Sequence, residues 1–109
     1  MPLRVNRSPR SIFDLAGIIE YFLDLDAIGA GERFSAAYDE TLDFIRQFPD
    51  LGEERPELRT RSGVVRVIPI RGFPNYLVYF RRDEDRVTIV RILHGSRQID
   101  PDVFPELPT

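Results

Sequence analysis

Near Leu58 the spacing of the apolar residues changes. Before it they recur every third or fourth position, the period of a helix with one buried stripe; after it they alternate or run in β-branched stretches, as strands do. A chain that commits its apolar residues first to helices and then to strands closes as a two-layer α+β domain, because each amphipathic face must be buried against another. At 109 residues and 42% hydrophobic content there is material for one such core and not for two, so 1–109 is expected to be a single domain.

The elements follow from local signals. Leu3-Arg4-Val5 reads as a short extended segment, and Ser8-Pro9 as an N-cap followed by proline at the first helical position. Ile12, Leu15, Ala16, Ile19, Phe22 and Leu23 form a first helical stripe, with Asp14, Glu20 and Asp24 mostly off it. Gly29-Ala30-Gly31 reads as the turn to a second helix. Its stripe of Phe34, Ala37, Tyr38, Thr41, Leu42, Ile45 and Phe48 is ended by Pro49-Asp50-Leu51-Gly52. The pair makes an antiparallel hairpin. Val64 to Arg71 is the next strand, with Pro69 implying an unpaired stretch, an edge or a bulge. Tyr76 to Arg81 follows the turn Gly72-Phe73-Pro74-Asn75, and Asp83-Glu84-Asp85 leads into Val87 to His94, which is apolar on both faces and therefore central. Residues 100–109, with Pro101, Pro105 and Pro108, read as a strap or loose end. The expected architecture is a two-helix hairpin packed on a twisted, mainly antiparallel sheet of three to four strands, in the order β-α-α-β-β-β.

Residue usage excludes several chemistries. The chain has no cysteine and no lysine, and His94 is its only histidine. Disulfides, thiolate metal sites, cysteine nucleophiles, Schiff bases and histidine-rich metal centres are therefore out of reach, and no metal or cofactor is expected. No apolar run approaches the roughly 18 residues of a membrane span, and Met1-Pro2-Leu3-Arg4 lacks the apolar stretch of a signal peptide, so a cytoplasmic location without direct membrane contact is expected. All 15 basic residues are arginines, and they are unevenly placed: residues 1–54 carry a net charge of -6 and residues 55–109 a net +3. The polarity gives the second half a basic face, while the overall charge of -3 disfavours direct binding of nucleic acid.

Four segments, in this order and spacing, are similar to a known family: Phe48-Pro49-Asp50-Leu51-Gly52, Arg55-Pro56-Glu57-Leu58-Arg59, Tyr76-Leu77-Val78-Tyr79-Phe80-Arg81 and Val90-Arg91-Ile92-Leu93-His94-Gly95-Ser96-Arg97. They resemble the ParE/RelE toxin superfamily. Ser8, Ile12, Asp14-Leu15, Ile18-Ile19 and Tyr21-Phe22 resemble its first helix, and the ending from Arg91 to Arg97 is similar to the ParE-like branch. The resemblance implies the toxin of a type II toxin–antitoxin pair, neutralised by a cognate antitoxin with a DNA-binding domain and acting on DNA gyrase without catalytic residues. A RelE-like alternative would cleave ribosome-bound messenger RNA, which needs a proton acceptor, a donor to the leaving oxygen and cations over the phosphorane. Without lysine, that site would have to be built from Tyr79, Arg81 and His94. A degenerate module that only binds its antitoxin is a third reading.

Candidate contact residues divide into two groups. Arg66, Arg71, Arg81, Arg91 and Arg97, with His94, are the candidate target-binding set, since guanidinium forks suit phosphate or carboxylate. The plainer reading pairs these arginines with acids such as Asp83, Glu84 and Asp85, and gives His94 the task of fixing its turn. Arg91, in an apolar strand, requires a partner if it is covered. Ile12, Leu15, Ile19, Phe22 and Tyr79 are the candidate antitoxin-binding set, by helix-in-groove contact or by addition of a strand to an exposed edge, with a core role as the alternative. Tyr76 and Tyr79 fall on opposite faces of their strand.

Overall fold

A computed structural model describes residues 3–60 and 63–95. The chain runs β1 (Arg4–Arg7), α1 (Pro9–Asp24), α2 (Ile28–Gln47), β2 (Glu53–Thr60), β3 (Gly63–Ile70), β4 (Phe73–Arg82) and β5 (Arg86–His94). The strands form one sheet in the order β1-β5-β4-β3-β2, with β1 parallel to β5 and every other pair antiparallel. This is the expected α+β order, with five strands instead of three to four. The additional one is β2, whose Arg-Pro-Glu sequence carries no alternating apolar signal and is held by pairing with β3.

Ser8 starts α1 and joins it to the sheet. Its hydroxyl accepts the Ser11 N–H at 3.0 Å and donates to the Val90 carbonyl at 2.8 Å, while its own N–H donates to the Ile89 carbonyl. Val90 is the extra residue of a β-bulge, since Tyr79 pairs with Arg91 and Phe80 with Ile89. One serine thus caps a helix and satisfies a carbonyl that the bulge takes out of register.

The helices do not turn at the glycines. Asp26 adopts a left-handed φ of 56°, its N–H returns to the Leu23 carbonyl, and the Ala27 N–H returns to the Phe22 carbonyl. That is the Schellman arrangement, with aspartate at the position that glycine usually holds. Gly29 to Gly31 lie in the first turn of α2, and Gly31 faces the Phe22 Cβ of α1.

Apolar residues cover both faces of the sheet. Phe34, Tyr38, Leu42 and Ile45 of α2 meet Ile70, Val78, Phe80, Val87, Ile89 and Ile92 on the helix side. A second cluster of Leu58, Val65, Val67, Tyr79, Val90 and Leu93 occupies the opposite, helix-free face. β5 is an interior strand, paired on both sides with β1 and β4, as its apolar run requires, while β4 stands at the centre of the sheet. β3 is not the edge: β2 pairs with it as far as Val67, and only its Pro69 end lacks an outer neighbour, where an imide without N–H costs nothing.

Candidate functional site

The five candidate arginines do not share one surface. Arg66 lies opposite Phe80, on the helix side, and donates to the Gly52 carbonyl and to Glu54. Gly52 makes that contact possible, because a Cβ there would stand 2.8 Å from the Phe80 ring and 2.9 Å from the Arg66 Cβ. Arg71 is exposed in the turn after β3. Arg81 points to the helix-free face together with Val65, its cross-strand neighbour. Arg97 lies outside the described residues. Strand alternation alone fails here because the arginines come from β3, its turn, β4 and β5, and the bulge at Val90 changes the alternation inside β5.

Arg91 corrects the picture most. It is buried, with its side chain only 5% exposed, and its Nε and Nη2 donate to the two carboxylate oxygens of Asp14 at 2.7 and 2.9 Å. Asp14 also accepts the Ile92 N–H at 3.0 Å. The carboxylate of α1 therefore stands at the outer side of β5, just past the end of β1, and takes up both a backbone donor left without a strand partner and a buried cation. The partner that the sequence required for Arg91 exists, and it is inside the molecule.

The alternative catalytic trio is divided as well. Tyr79 is fully buried in the helix-free cluster and Arg81 is on the same face, but His94 pairs in register with Tyr76, whose ring packs against Phe34 on the helix side. The His94 and Tyr76 rings meet edge to face at 5.2 Å. Burial raises the Tyr79 hydroxyl pKa above its ordinary value, with the Arg55 guanidinium opposing it and Glu57 and Glu53 adding to it. A hydroxyl so placed is a weaker acid than that of an exposed tyrosine.

The candidate antitoxin residues also sort by exposure. Leu15, Ile19 and Phe22 are partly buried against the core, Tyr79 is inaccessible, and Ile12 is exposed. The large apolar residues that α1 turns outward are Ile12, Phe13, Tyr21 and Leu23, the last against its place in the expected stripe, and Phe13 is 77% exposed. Phe13 borders a groove of about 370 Å³ shared with Gly17, Tyr76, Leu93 and His94. A larger one, of about 480 Å³, runs between α2 and β3 and is lined by Glu40, Thr41, Phe44, Ile68, Pro69 and Arg71. Phe44 and Phe48 stack at 5.2 Å beside it, both exposed, and exposed Leu51 follows them. An acid at one side and an arginine at the other border an apolar floor, the form in which an amphipathic segment is held.

Sequence reasoning missed Asp14, Phe13, Phe44 and Arg55. Phe44 and Phe13 were legible as aromatics off the main helical stripes. Arg55 was hidden because β2 starts at Glu53, five positions before the apolar period changes at Leu58. Several other surface arginines are paired: Arg4 and Arg86 share Asp85, Arg82 takes Asp50 and Arg46 takes Asp43. Hydrogen bonds from Arg86 and Arg4 hold the Asp85 carboxyl down at about 2.

Among the described residues no group of acids and histidine could hold a metal ion, and no helix is long and apolar enough to cross a membrane. Two helices on one face of a five-stranded mixed sheet define a small two-layer α+β domain. The profile of the ParE toxin of the type II toxin–antitoxin system, parDE, matches residues 5–99, and the chain belongs to this family. A solved structure titled as a chromosomal ParDE toxin–antitoxin system from P. aeruginosa has the same fold, with a TM-score of 0.67 at 17% identity, over 84% of this chain and 95% of that one. No curated protein matches the chain.

Proposed function

We propose that this ParE-family toxin is held inactive by a cognate antitoxin carrying a DNA-binding domain and that, once free in the cytoplasm, it stops replication by inhibiting DNA gyrase. The observation that carries this reading is the family match over nearly the whole chain. A specific feature sets it above messenger RNA cleavage: His94 stands on the helix side of the sheet, across from Tyr79 and Arg81, so the three do not flank a common point. The antitoxin is assigned to the groove between α2 and β3, where an apolar side chain would enter beside Phe44 and a polar flank would face Glu40 and Arg71. Among the described members of the target-binding set, Arg71 and Arg81 keep guanidiniums not committed to an internal acid, whereas Arg66 and Arg91 are held by Glu54 and Asp14.

Purified chain added to gyrase and relaxed plasmid is expected to block supercoiling, and addition of the antitoxin is expected to restore it. Undiminished supercoiling at a large excess of folded chain would remove gyrase as the target. Cleavage of messenger RNA on translating ribosomes would establish the alternative.

A further inference from the structure

Across the helix-free face, the register sets Arg55 of β2, Val65 of β3 and Arg81 of β4 side by side, with Thr88 of β5 next in the row. The two arginines are therefore two strands apart, roughly 10 Å at the backbone, and both side chains are long enough to meet over the small Val65 between them. Arg55 Nε, Arg81 Nε and Arg81 Nη1 are buried, and none has a hydrogen-bond partner. Neither guanidinium is bonded to a carboxylate among the described residues, although Arg4, Arg46, Arg66, Arg82, Arg86 and Arg91 all are. Buried donors are normally satisfied, and a lysine or histidine that was not could shed its proton. A guanidinium cannot, so its buried donors need an acceptor, and an anion alone both accepts them and offsets the charge.

We propose that Arg55 and Arg81 form a carboxylate-binding site on the helix-free face, taking an aspartate or glutamate side chain presented by a partner protein. The inference goes beyond the toxin reading and stands whichever macromolecule that reading names as target. The surroundings choose the ligand. The floor is apolar, made by Leu58, Val65, Val67 and Tyr79, which suits a single acidic side chain flanked by apolar ones. Glu53 and Glu57 lie near enough to the Tyr79 hydroxyl to oppose its ionisation, so the rim is acidic and penalises a chain of phosphates, charged at every unit, more than a single carboxylate. Arg4, Arg66, Arg82 and Arg86 of the sheet are each bonded to an acid, which leaves fewer free cations for a nucleic-acid backbone to follow.

The test is a titration of the full chain with sodium acetate, followed through the arginine Nε–H signals, with methyl phosphate and sodium chloride at matched ionic strength alongside. The Arg55 and Arg81 signals are expected to shift saturably with acetate, while those of Arg4 and Arg86 drift only as they do with chloride. Arg81→Gln should abolish the saturable shift, and Arg55→Gln should weaken acetate about tenfold, the loss of one charge-assisted bond. Arg81→Met gives an independent readout: it removes buried donors that nothing satisfies in the free protein, so it should raise the melting temperature. A common linear drift of all arginine signals would overturn the proposal, as would a lowered melting temperature for Arg81→Met. Saturation by methyl phosphate at lower concentration than acetate would overturn the carboxylate assignment in favour of a phosphodiester ligand.

Discussion

Asp14 does three things with two oxygens: it accepts two bonds from Arg91 and one from the Ile92 backbone. Because both side chains are nearly covered, deleting one partner leaves the other charge buried, which costs far more than the net value of the pair. Asp14→Ala is expected to lower stability by about 3 kcal/mol or more, and Arg91→Ala by a similar amount, with the double change well short of their sum. Urea denaturation of the three variants checks this; additive losses would show that the two side chains act separately. Tyr38 is the residue whose titration should be visible in stability. Burial pushes its hydroxyl from 10.0 up to about 12, against the opposing pull of Arg7. With the folded value raised, the unfolded chain ionises first, so this contribution is intact below pH 10 and is lost as the pH rises towards 12. Melting temperatures across that interval are expected to fall less steeply for Tyr38→Phe than for the parent chain. Of these residues, Arg91 was legible as needing a partner because an arginine within an apolar strand cannot stay alone. Asp14 was not legible as that partner, since 77 positions separate the two and neither sequence neighbourhood refers to the other.

At the next level, the signals that survived from sequence to structure are those carried by local chemistry. Ser8-Pro9 caps and starts α1 as its residue types dictate, and the stripe of α2 buries Phe34, Tyr38, Leu42 and Ile45 as its spacing dictates, whereas the α1 stripe only half-buries Leu15, Ile19 and Phe22 and leaves Ile12 and Leu23 exposed. Ser8→Ala removes the cap and the bond to Val90 together and is expected to cost about 1 to 2 kcal/mol in chemical denaturation. What failed was decided by contacts distant in sequence. β2 exists because β3 lies beside it, and the hairpin turns at Asp26 because three backbone bonds close there, leaving the glycines to a helix contact. Gly52 was legible as a helix breaker but not as the residue that admits both the Phe80 ring and Arg66. Gly52→Ala forces a methyl between them and is expected to cost about 1 to 3 kcal/mol by the same measurement, with the loss of the Arg66 bonds visible in its side-chain signals.

For the molecule as a whole, the division of charge along the sequence does not become a single basic face. Acids from the α2–β2 and β4–β5 connections and from β2 itself pair with Arg4, Arg66, Arg82 and Arg86, and among the arginines without an acid Arg71 lies by the α2–β3 groove while Arg55 and Arg81 lie on the helix-free face. Two separate surfaces allow an antitoxin and a target to be met by different parts of one small domain. If the antitoxin occupies the α2–β3 groove, Phe44→Glu should weaken its binding at least thirtyfold, roughly the effect of losing one central aromatic anchor, without unfolding a chain in which Phe44 is already exposed. Calorimetric titration of toxin variant with antitoxin reads it, and unchanged affinity would move the antitoxin to the groove beside Phe13. The family was legible in full because its motifs span strand, turn and helix ends, whereas the paired or free state of each arginine depended on acids that only folding brings near. The toxin reading itself is tested by inducing the chain without antitoxin in growing bacteria and pulse-labelling DNA and protein synthesis separately over the first minutes. DNA synthesis should fail first, with protein synthesis following only later; if protein synthesis stops first while DNA synthesis continues, gyrase is not the target and the account is contradicted.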